Sequence, residues 1–276
     1  MDAKKSTTAR LIGGHVSFDH AADTYDATRA LPDEVARRLT DALMAELAAA
    51  GADRVLEIGA GTGRIARPLA ERGVRVIGVD ISPRMLARLR EQLGPQHVAP
   101  GLTLGDATRL PLASDSFRAV LVVHVLHLVS SWQRALEELQ RVLASGGVFI
   151  EATHRYLGES VWQASAEKWE ELRRARGFDE RQRPGRERIH DFLRGLGGSL
   201  RTVTFAEEEE RRTPRENLER IGSRIDSWTW QYPEGLFAEC LAELKAWYPS
   251  HYNNLDHELT EHLTYELEVW TFPQNH

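Results

Sequence analysis

The chain has few of the residues that form covalent cross-links or soft-metal sites. Its 276 residues include one cysteine, Cys240. A single thiol excludes a disulfide within the chain and any metal cluster built on several cysteines, and it suits a reducing compartment. His251, His257 and His262 lack the spacing of a helical zinc motif, so we predict no metal site.

Long apolar runs and an excess of positive charge are also absent from the sequence. No segment approaches the roughly 20 apolar residues of a membrane-spanning helix, and residues 1–10 lack the apolar stretch of a secretory signal. Lysine and arginine total 35 against 41 aspartates and glutamates, which gives a formal net charge of −6. This balance disfavours nucleic acids and anionic membranes as partners. We expect a cytoplasmic protein, either a monomer or a homodimer.

Apolar periodicity predicts alternating helices and strands from about residue 31. Pro32 is expected to open the first helix and Gly51 to end it, and Ser82-Pro83 to begin another. Gly146-Gly147 is expected to end the helix that Ser131 caps. Strands this apolar need helices on both faces, which predicts an α/β protein with a doubly wound, mainly parallel sheet. The predicted strands are 54–58, 74–80, 102–106, 119–125 and 148–152.

Beyond residue 153 the pattern changes to longer helices and two late strands. We predict an N-terminal arm over residues 1–30 and a core domain over residues 31–153. A helical cap is predicted from residues 154–199 and 213–257. The late strands, 200–212 and 258–272, are expected to complete the core sheet at seven strands.

A glycine-rich turn, Gly59-Ala60-Gly61-Thr62-Gly63, follows the first predicted strand and precedes a helix. Glycines here let a ligand approach the backbone at the helix N-terminus. The GxGxG spacing differs from the GxGxxG of dinucleotide sites, and Glu57 stands two residues before the first glycine. A carboxylate there repels a pyrophosphate but accepts hydrogen bonds from an ammonium group. The motif favours S-adenosylmethionine (SAM), with NAD or FAD as the alternative.

Aspartates follow the second and third predicted strands. Asp80 can accept hydrogen bonds from both ribose hydroxyls, as the acidic residue of nucleotide-binding units does. The alternative is a helix N-cap, a role that Ser82 can equally fill. Asp106 can accept from an adenine amino group while the small Ala107 leaves space for the ring, and the alternative for this pair is an ordinary turn.

The stretch from Tyr25 to about Thr153 resembles the class I SAM-dependent methyltransferases of the UbiE and Methyltransf_11 type. The matching segments are VLEIGAGTGR, VIGVDIS, GDATRLPLASDSFRAV and RVLASGGVFIEA. The whole chain is similar to a bacterial subgroup of methyltransferases without an assigned acceptor. The resemblance implies a Rossmann-like fold, SAM as cofactor and S-adenosylhomocysteine (SAH) as product.

The same resemblance implies a set of cofactor-binding residues. Arg29 is expected to hold the SAM carboxylate, because a guanidinium suits a carboxylate, and Tyr25 to close the pocket; the alternative for Arg29 is a solvated helix charge. The glycine turn is expected to surround the methionine end. The predicted cofactor-binding residues are Tyr25, Arg29, Glu57, Gly59, Ala60, Gly61, Gly63, Asp80, Ile81, Met85, Asp106, Ala107 and His124.

Histidines stand at the ends of the fourth and fifth predicted strands. His127 and His124 are the predicted catalytic residues, because a histidine can take a proton from a hydroxyl or amine acceptor near neutral pH. The alternative is a structural hydrogen bond at a strand end. The predicted acceptor pocket consists of Tyr25, His127, His154, Tyr156 and Trp162.

The expected reaction is methyl transfer from SAM to a small organic acceptor, with oxygen or nitrogen favoured over carbon. Five of the seven tryptophans fall in the predicted cap, where they either line an apolar pocket or form its core. One alternative is a tRNA or protein methyltransferase, supported by seven arginines between Arg173 and Arg188 that otherwise form a solvated charge run. Another is a protein that binds SAM without methyl transfer.

Overall fold

The chain forms two groups of closely packed residues, and each is described by itself. The first comprises Arg10–Thr153, Gln182–Ala206 and Tyr265–His276, and the second includes His154–Arg181 and Glu207–Thr264. The computed structural model describes residues 10–12, 15–19, 22, 25–26, 31–93, 101–178 and 184–273, with residues 10–17 as backbone alone.

A seven-stranded sheet follows a short antiparallel hairpin in the chain. The sheet order is β5-β4-β3-β6-β7-β9-β8, and its first five strands pair in parallel. The order reverses between β3 and β6, and ligands of doubly wound sheets bind at the carboxyl ends of the strands beside such a reversal. The strands are β1 (Arg10–Ile12), β2 (His15–Ser17), β3 (Arg54–Ile58), β4 (Arg75–Asp80), β5 (Gly101–Leu104), β6 (Phe117–Val123), β7 (Leu143–Leu157), β8 (Ser199–Arg212) and β9 (Leu259–Thr271).

Eight helices connect or follow these strands within the described residues. Two single turns of 3₁₀ helix lie at Leu126–Leu128 and Ser227–Thr229. None of the described helices combines the length and the apolar character that crossing a bilayer requires. The helices are α1 (Asp33–Ala49), α2 (Ala66–Glu71), α3 (Pro83–Gln92), α4 (Trp132–Val142), α5 (Val161–Ala175), α6 (Arg186–Gly195), α7 (Pro214–Gly222) and α8 (Glu234–His251).

The first unit buries apolar side chains on both faces of its sheet. Neighbouring residues of β3 point in opposite directions, as the pleat requires. Val55 packs in one cluster with Leu43 of α1, and Leu56 packs in the other with Leu136 of α4. Helices therefore cover both faces, which confirms the predicted doubly wound α/β fold.

Helix boundaries follow the predicted signals at most positions. Helix α1 lies between Pro32 and Gly51, and the Ser82 hydroxyl caps α3 by accepting from the Met85 N–H at 3.1 Å. The prediction for Gly146-Gly147 was wrong, because α4 already ends at Val142. The next residue pairs with Phe117 in the sheet, so strand pairing and not a glycine ends this helix.

The second unit packs α5, α7 and α8 around aromatic side chains. Trp169, Phe237 and Tyr248 are buried together with Cys240. The predicted cap included residues 182–199, but α6 belongs to the first unit. The reason is its apolar stripe, since Ile189 and Leu193 pack in the same cluster as Trp132 and Leu136 of α4.

Candidate functional site

A cleft of about 690 Å³, measured to its open mouth, lies at the carboxyl ends of β3, β4 and β6. This is the edge at which the sheet order reverses, where ligands of doubly wound sheets bind. Apolar side chains supply most of the wall, and two carboxylates, one histidine and the phenol of Tyr25 supply its charged or titratable groups. The lining residues are Phe18, Tyr25, Ile58, Gly59, Gly61, Val79, Asp80, Ile81, Met85, Gly105, Asp106, Ala107, Val123, His124, Val125, Leu128 and Val129.

The glycine turn combines tight packing with an open side. Gly59 has a φ of +75°, and a Cβ there would stand 2.2 Å from Cγ2 of Val125. Gly63 has a φ of +93°, and its Cβ would stand 2.1 Å from Cδ1 of Leu89. Larger residues are therefore excluded at both positions. A Cβ on Gly61 would meet only the carbonyl oxygen of Gly59, at an ordinary contact distance of 3.9 Å, so this residue leaves room for a ligand at the backbone.

Glu57 brings a buried carboxyl group to the end of β3. Its side chain is 2% exposed, and among the described residues its Oε2 has no hydrogen-bond partner. Burial raises the pKa of Glu57 to about 8, with a further rise from the charge of Asp80 and opposing effects from Arg64 and the Ala66 backbone. Glu57 is not among the residues that line the cleft. An orphaned buried carboxyl is costly, and a cationic group nearby would relieve that cost.

Asp80 ends β4 with both carboxylate oxygens held by backbone amides. The Gly61 N–H donates to Oδ2 and the Ser82 N–H to Oδ1, each at 2.8 Å. Burial raises the pKa of Asp80, and the Asp19 charge adds to the rise. Ser82 itself caps α3, which leaves Asp80 free of that role. A carboxylate oxygen has two lone pairs, so each oriented oxygen can still accept from a ligand hydroxyl.

Asp106 and Ala107 line the part of the cleft that follows β5. Oδ1 of Asp106 accepts from the N–H and from the hydroxyl of Thr108, both at 2.8 Å. The aspartate thus forms a turn and also lines the cleft, and its predicted contact with the adenine amino group stays a prediction. Ile81 and Met85 supply apolar wall nearby.

Comparisons with known proteins show the family to which the chain belongs. A family described as methyltransferase domain matches residues 56–150. Over 195 residues the chain is 34% identical to a malonyl-[acyl-carrier protein] O-methyltransferase of Enterobacter lignolyticus, covering 69% of this chain and 70% of the relative. The chain belongs to the class I SAM-dependent methyltransferases.

Two further comparisons add to this assignment. One is a sequence match over part of the chain, and the other is a match of the fold. A demethylmenaquinone methyltransferase of Tropheryma whipplei is 39% identical over 138 residues, which cover 48% of this chain and 55% of that protein. The crystal structure of the YcgJ protein of Bacillus subtilis has a TM-score of 0.56 at 18% identity, covering 86% of this chain and 99% of that one. At this identity the second match supports the fold alone.

The N-terminal segment of the methyltransferase adds two aromatic rings to the cleft. Phe18 and Tyr25 both line it, and their rings meet edge to face with centroids 5.3 Å apart. The sequence analysis identified Tyr25 and missed Phe18, because no motif marks a lone aromatic residue. Arg29, predicted to hold the SAM carboxylate, lies outside the described residues.

Of the two predicted catalytic histidines, one lines the cleft and the other does not. His124 lines the cleft at the end of β6 with a φ of +56°, in the left-handed region that few non-glycine residues adopt. His127 is half-buried in the 3₁₀ turn Leu126–Leu128 and does not line the cleft. A constrained residue at a binding site agrees with a functional role for His124.

The other predicted acceptor residues belong to the second unit. The rings of His154 and Tyr156 meet with centroids 5.9 Å apart, and the ring of Trp162 meets that of Trp228 at 6.0 Å. Of the five predicted acceptor residues, each of which the structure describes, Tyr25 lines the cleft of the first unit and the other four do not.

The arginine-rich stretch is held largely by acidic partners. Arg176 forms ion pairs with Glu239 and Glu243, and Arg186 pairs with Glu266 and Glu268. Because these arginines are paired, the stretch has less positive charge available to bind an external anion than its number of arginines indicates. Within the part of the chain that the structure describes, no group of three or more His, Cys, Asp or Glu side chains is arranged to hold a metal ion.

Proposed function

We propose that this methyltransferase moves the methyl group of SAM to a small organic acceptor through an oxygen or nitrogen atom. The observation that carries the proposal is the carboxylate of Asp80, whose two oxygens are oriented by Gly61 and Ser82 at the wall of the cleft. Relatives named for a malonyl-[acyl-carrier protein] and for demethylmenaquinone support a small acceptor.

The residues of the cleft fit the parts of SAM. Asp80 would accept hydrogen bonds from the ribose hydroxyls, and the open side of Gly61 would admit the methionine end. Ile81, Met85 and Ala107 would enclose the adenine ring, with Asp106 at its edge. The orphaned carboxyl of Glu57 supports a cationic ligand, because the ammonium group of SAM would favour its ionised form.

SAM supplies an activated methyl group, so the protein has to orient the acceptor and keep water away. His124 is the better placed of the two candidate bases, because it lines the cleft. Its imidazole would accept a proton from an acceptor hydroxyl or amine. His127 would act from outside the cleft lining, on an acceptor that extends beyond the cofactor.

Calorimetry with SAH, NAD and FAD tests the cofactor assignment. We expect SAH to bind and the dinucleotides not to bind; the reverse result would remove the proposal. Methyl-labelled SAM with separate panels of hydroxyl, carboxyl and amine compounds, tRNA and protein tests the acceptor class. Label on tRNA or protein alone would replace the small acceptor, and SAH binding with no transfer to any panel would indicate a protein that only binds the cofactor.

A further inference from the structure

Two aromatic–aspartate pairs build the N-terminal wall of the cleft. Phe18 and Tyr25 line it, and each is followed directly in the chain by an aspartate, Asp19 or Asp26. The two rings touch each other. The two aspartates, by contrast, reach different parts of the cofactor-binding core.

Asp19 is bonded to the N-terminus of α3. Its Oδ1 accepts from the Ser82 hydroxyl at 2.7 Å and from the Arg84 N–H at 3.2 Å. Its backbone carbonyl accepts from Nη1 of Arg84 at 3.0 Å. A carboxylate is stabilised at a helix N-terminus, where backbone N–H groups and the helix dipole present positive charge. Ser82 also donates its N–H to Asp80, so this anchor is bonded directly to the proposed ribose ligand, two residues away in the chain.

Asp26 is bonded to the glycine turn. Its Oδ1 accepts from the hydroxyl of Thr62, which is 2% exposed, and its Oδ2 accepts from Nε2 of Gln92 at 2.9 Å. Thr62 lies between Gly61 and Gly63, which shape the floor of the turn. The second anchor therefore fixes Tyr25 to the loop that would receive the methionine end of SAM.

We propose that Asp19 and Asp26 are positioning residues that hold Phe18 and Tyr25 against the bound cofactor and slow its release. This inference rests on the proposed function, because it assigns the cleft to SAM. Charge-assisted hydrogen bonds are the strong ones, and each aspartate fixes the aromatic residue directly before it to a separate element of the core. A held aromatic wall would also keep water from the reacting methyl group.

Asp19 has a second effect, on Asp80. The charged groups that act on the Asp80 carboxyl are Asp19 and Glu57, and backbone amides of Gly61, Ile81 and Ser82 donate to it. The negative charge of Asp19 raises the pKa of Asp80. Removal of that charge should lower this pKa, so that SAH binding persists to a lower pH. A residue with only a packing role would not shift this profile.

The test measures the dissociation rate of SAH by displacement with excess SAM, and the pH profile of SAH affinity. We expect Asp26→Asn and Asp19→Asn to release SAH about tenfold faster, the effect of losing one charge-assisted hydrogen bond. Asp19→Asn should also move the acid limb of the profile to lower pH. The matched control is Asp191→Asn, an exposed aspartate that pairs with Arg194 in the next turn of α6.

Thr62→Val removes the donor to Asp26 with little change of shape, and it should release SAH faster as Asp26→Asn does. If an aspartate variant does not fold, the release rate of SAH from Thr62→Val still tests the proposal. If Asp19→Asn and Asp26→Asn, or Thr62→Val, release SAH at the wild-type rate, the inference is overturned. The cofactor assignment still stands in that case, provided that the unmodified protein binds SAH. Failure of the unmodified protein to bind SAH would instead overturn the proposed function.

Discussion

Glu57 in the first unit and Glu261 in the second are both almost fully buried, yet their surroundings differ. Oε1 of Glu261 accepts from the Ser160 hydroxyl at 2.7 Å and from the Val161 N–H at 2.6 Å. Nε of Arg212 lies 3.7 Å from its other oxygen. Glu57 has an orphaned oxygen and a pKa raised to about 8. Oε2 of Glu261 also lacks a hydrogen bond among the described residues, but the Arg212 guanidinium lies beside it, whereas no described residue forms an ion pair with Glu57.

This difference separates a structural carboxylate from one suited to a ligand. Glu261 satisfies donors at the start of α5, which would otherwise be unpaired in the protein interior. Glu57 destabilises the unliganded protein at neutral pH, because burial raises its pKa to about 8 and its carboxyl has to take up a proton on folding. Binding sites commonly retain such costs where activity depends on them.

Glu261→Ala should give the largest loss of stability. The change removes a buried partner of Arg212 and leaves the Val161 N–H unpaired, and breaking a buried ion pair costs about 3–5 kcal/mol. Urea unfolding would measure the free energy. The matched control is Glu258→Ala, because Glu258 is exposed and forms a surface pair with Arg211, for which the cost is at most about 1 kcal/mol. Equal losses in both variants would contradict the structural role of Glu261.

Asp80→Ala should have the largest effect on the cofactor. Two charged hydrogen bonds to ribose hydroxyls are worth about 3 kcal/mol together, which corresponds to about a hundredfold weaker SAH binding. Calorimetry would measure it. Asp53→Ala is the control, since Asp53 is exposed and pairs with Arg75 at the start of β4. Unchanged SAH affinity in Asp80→Ala would remove the ribose assignment.

Much of the fold follows from local patterns in the sequence. Strands with apolar residues on both faces require helices on both sides, and Ser82 marks a helix start that the structure confirms. The end of α4 could not be predicted this way, because the pairing of Leu143 with Phe117 joins segments 26 residues apart. The assignment of α6 likewise depends on which cluster its apolar stripe joins.

The candidate site, like the fold, contains residues that could be predicted from the sequence and residues that could not. Motif glycines and aspartates at strand ends could be placed from sequence, because parallel strands bring their carboxyl ends to one edge. Apolar wall residues such as Val123 and Leu128 could not, since an apolar residue there is indistinguishable from core. The difference between His124 and His127 arises from the left-handed φ of His124, which the sequence does not mark.

Glu57→Gln should weaken SAH binding about tenfold, as expected when an ammonium loses one charged partner. The same change should raise the free energy of unfolding at neutral pH, because a neutral amide replaces a buried carboxyl. The folded pKa of about 8 exceeds the ordinary 4.5, so the folded state binds more protons between these values and stability falls as pH rises. Glu151, whose pKa is also raised to about 8, contributes in the same window.

Urea unfolding across pH 5–8 would measure this slope, which should be shallower in Glu57→Gln. Glu151→Gln separates the two carboxyls, because it should flatten the slope without weakening SAH binding. An unchanged slope in Glu57→Gln would show that its carboxyl is ionised in the folded protein. The contrast with Glu261 would then lose its electrostatic basis.

Glu138→Gln should have the smallest effect on stability. It allows two buried carboxylates of the same unit, Glu138 and Glu57, to be compared. Glu138 is buried in the first unit, as Glu57 is, but its carboxylate accepts from the Leu110 N–H at 2.8 Å and from Arg141 at 2.9 Å. The Arg141 side chain lowers its pKa, so its stabilisation is present above the ordinary carboxyl pKa and is lost as pH falls through the folded value. We expect Glu138→Gln to cost about 1–2 kcal/mol at neutral pH and less in acid, measured by urea unfolding at both. Glu57→Gln should change stability in the opposite direction at neutral pH. A loss of stability in both variants would mean that burial alone, and not the set of partners, determines what a carboxylate contributes in this fold.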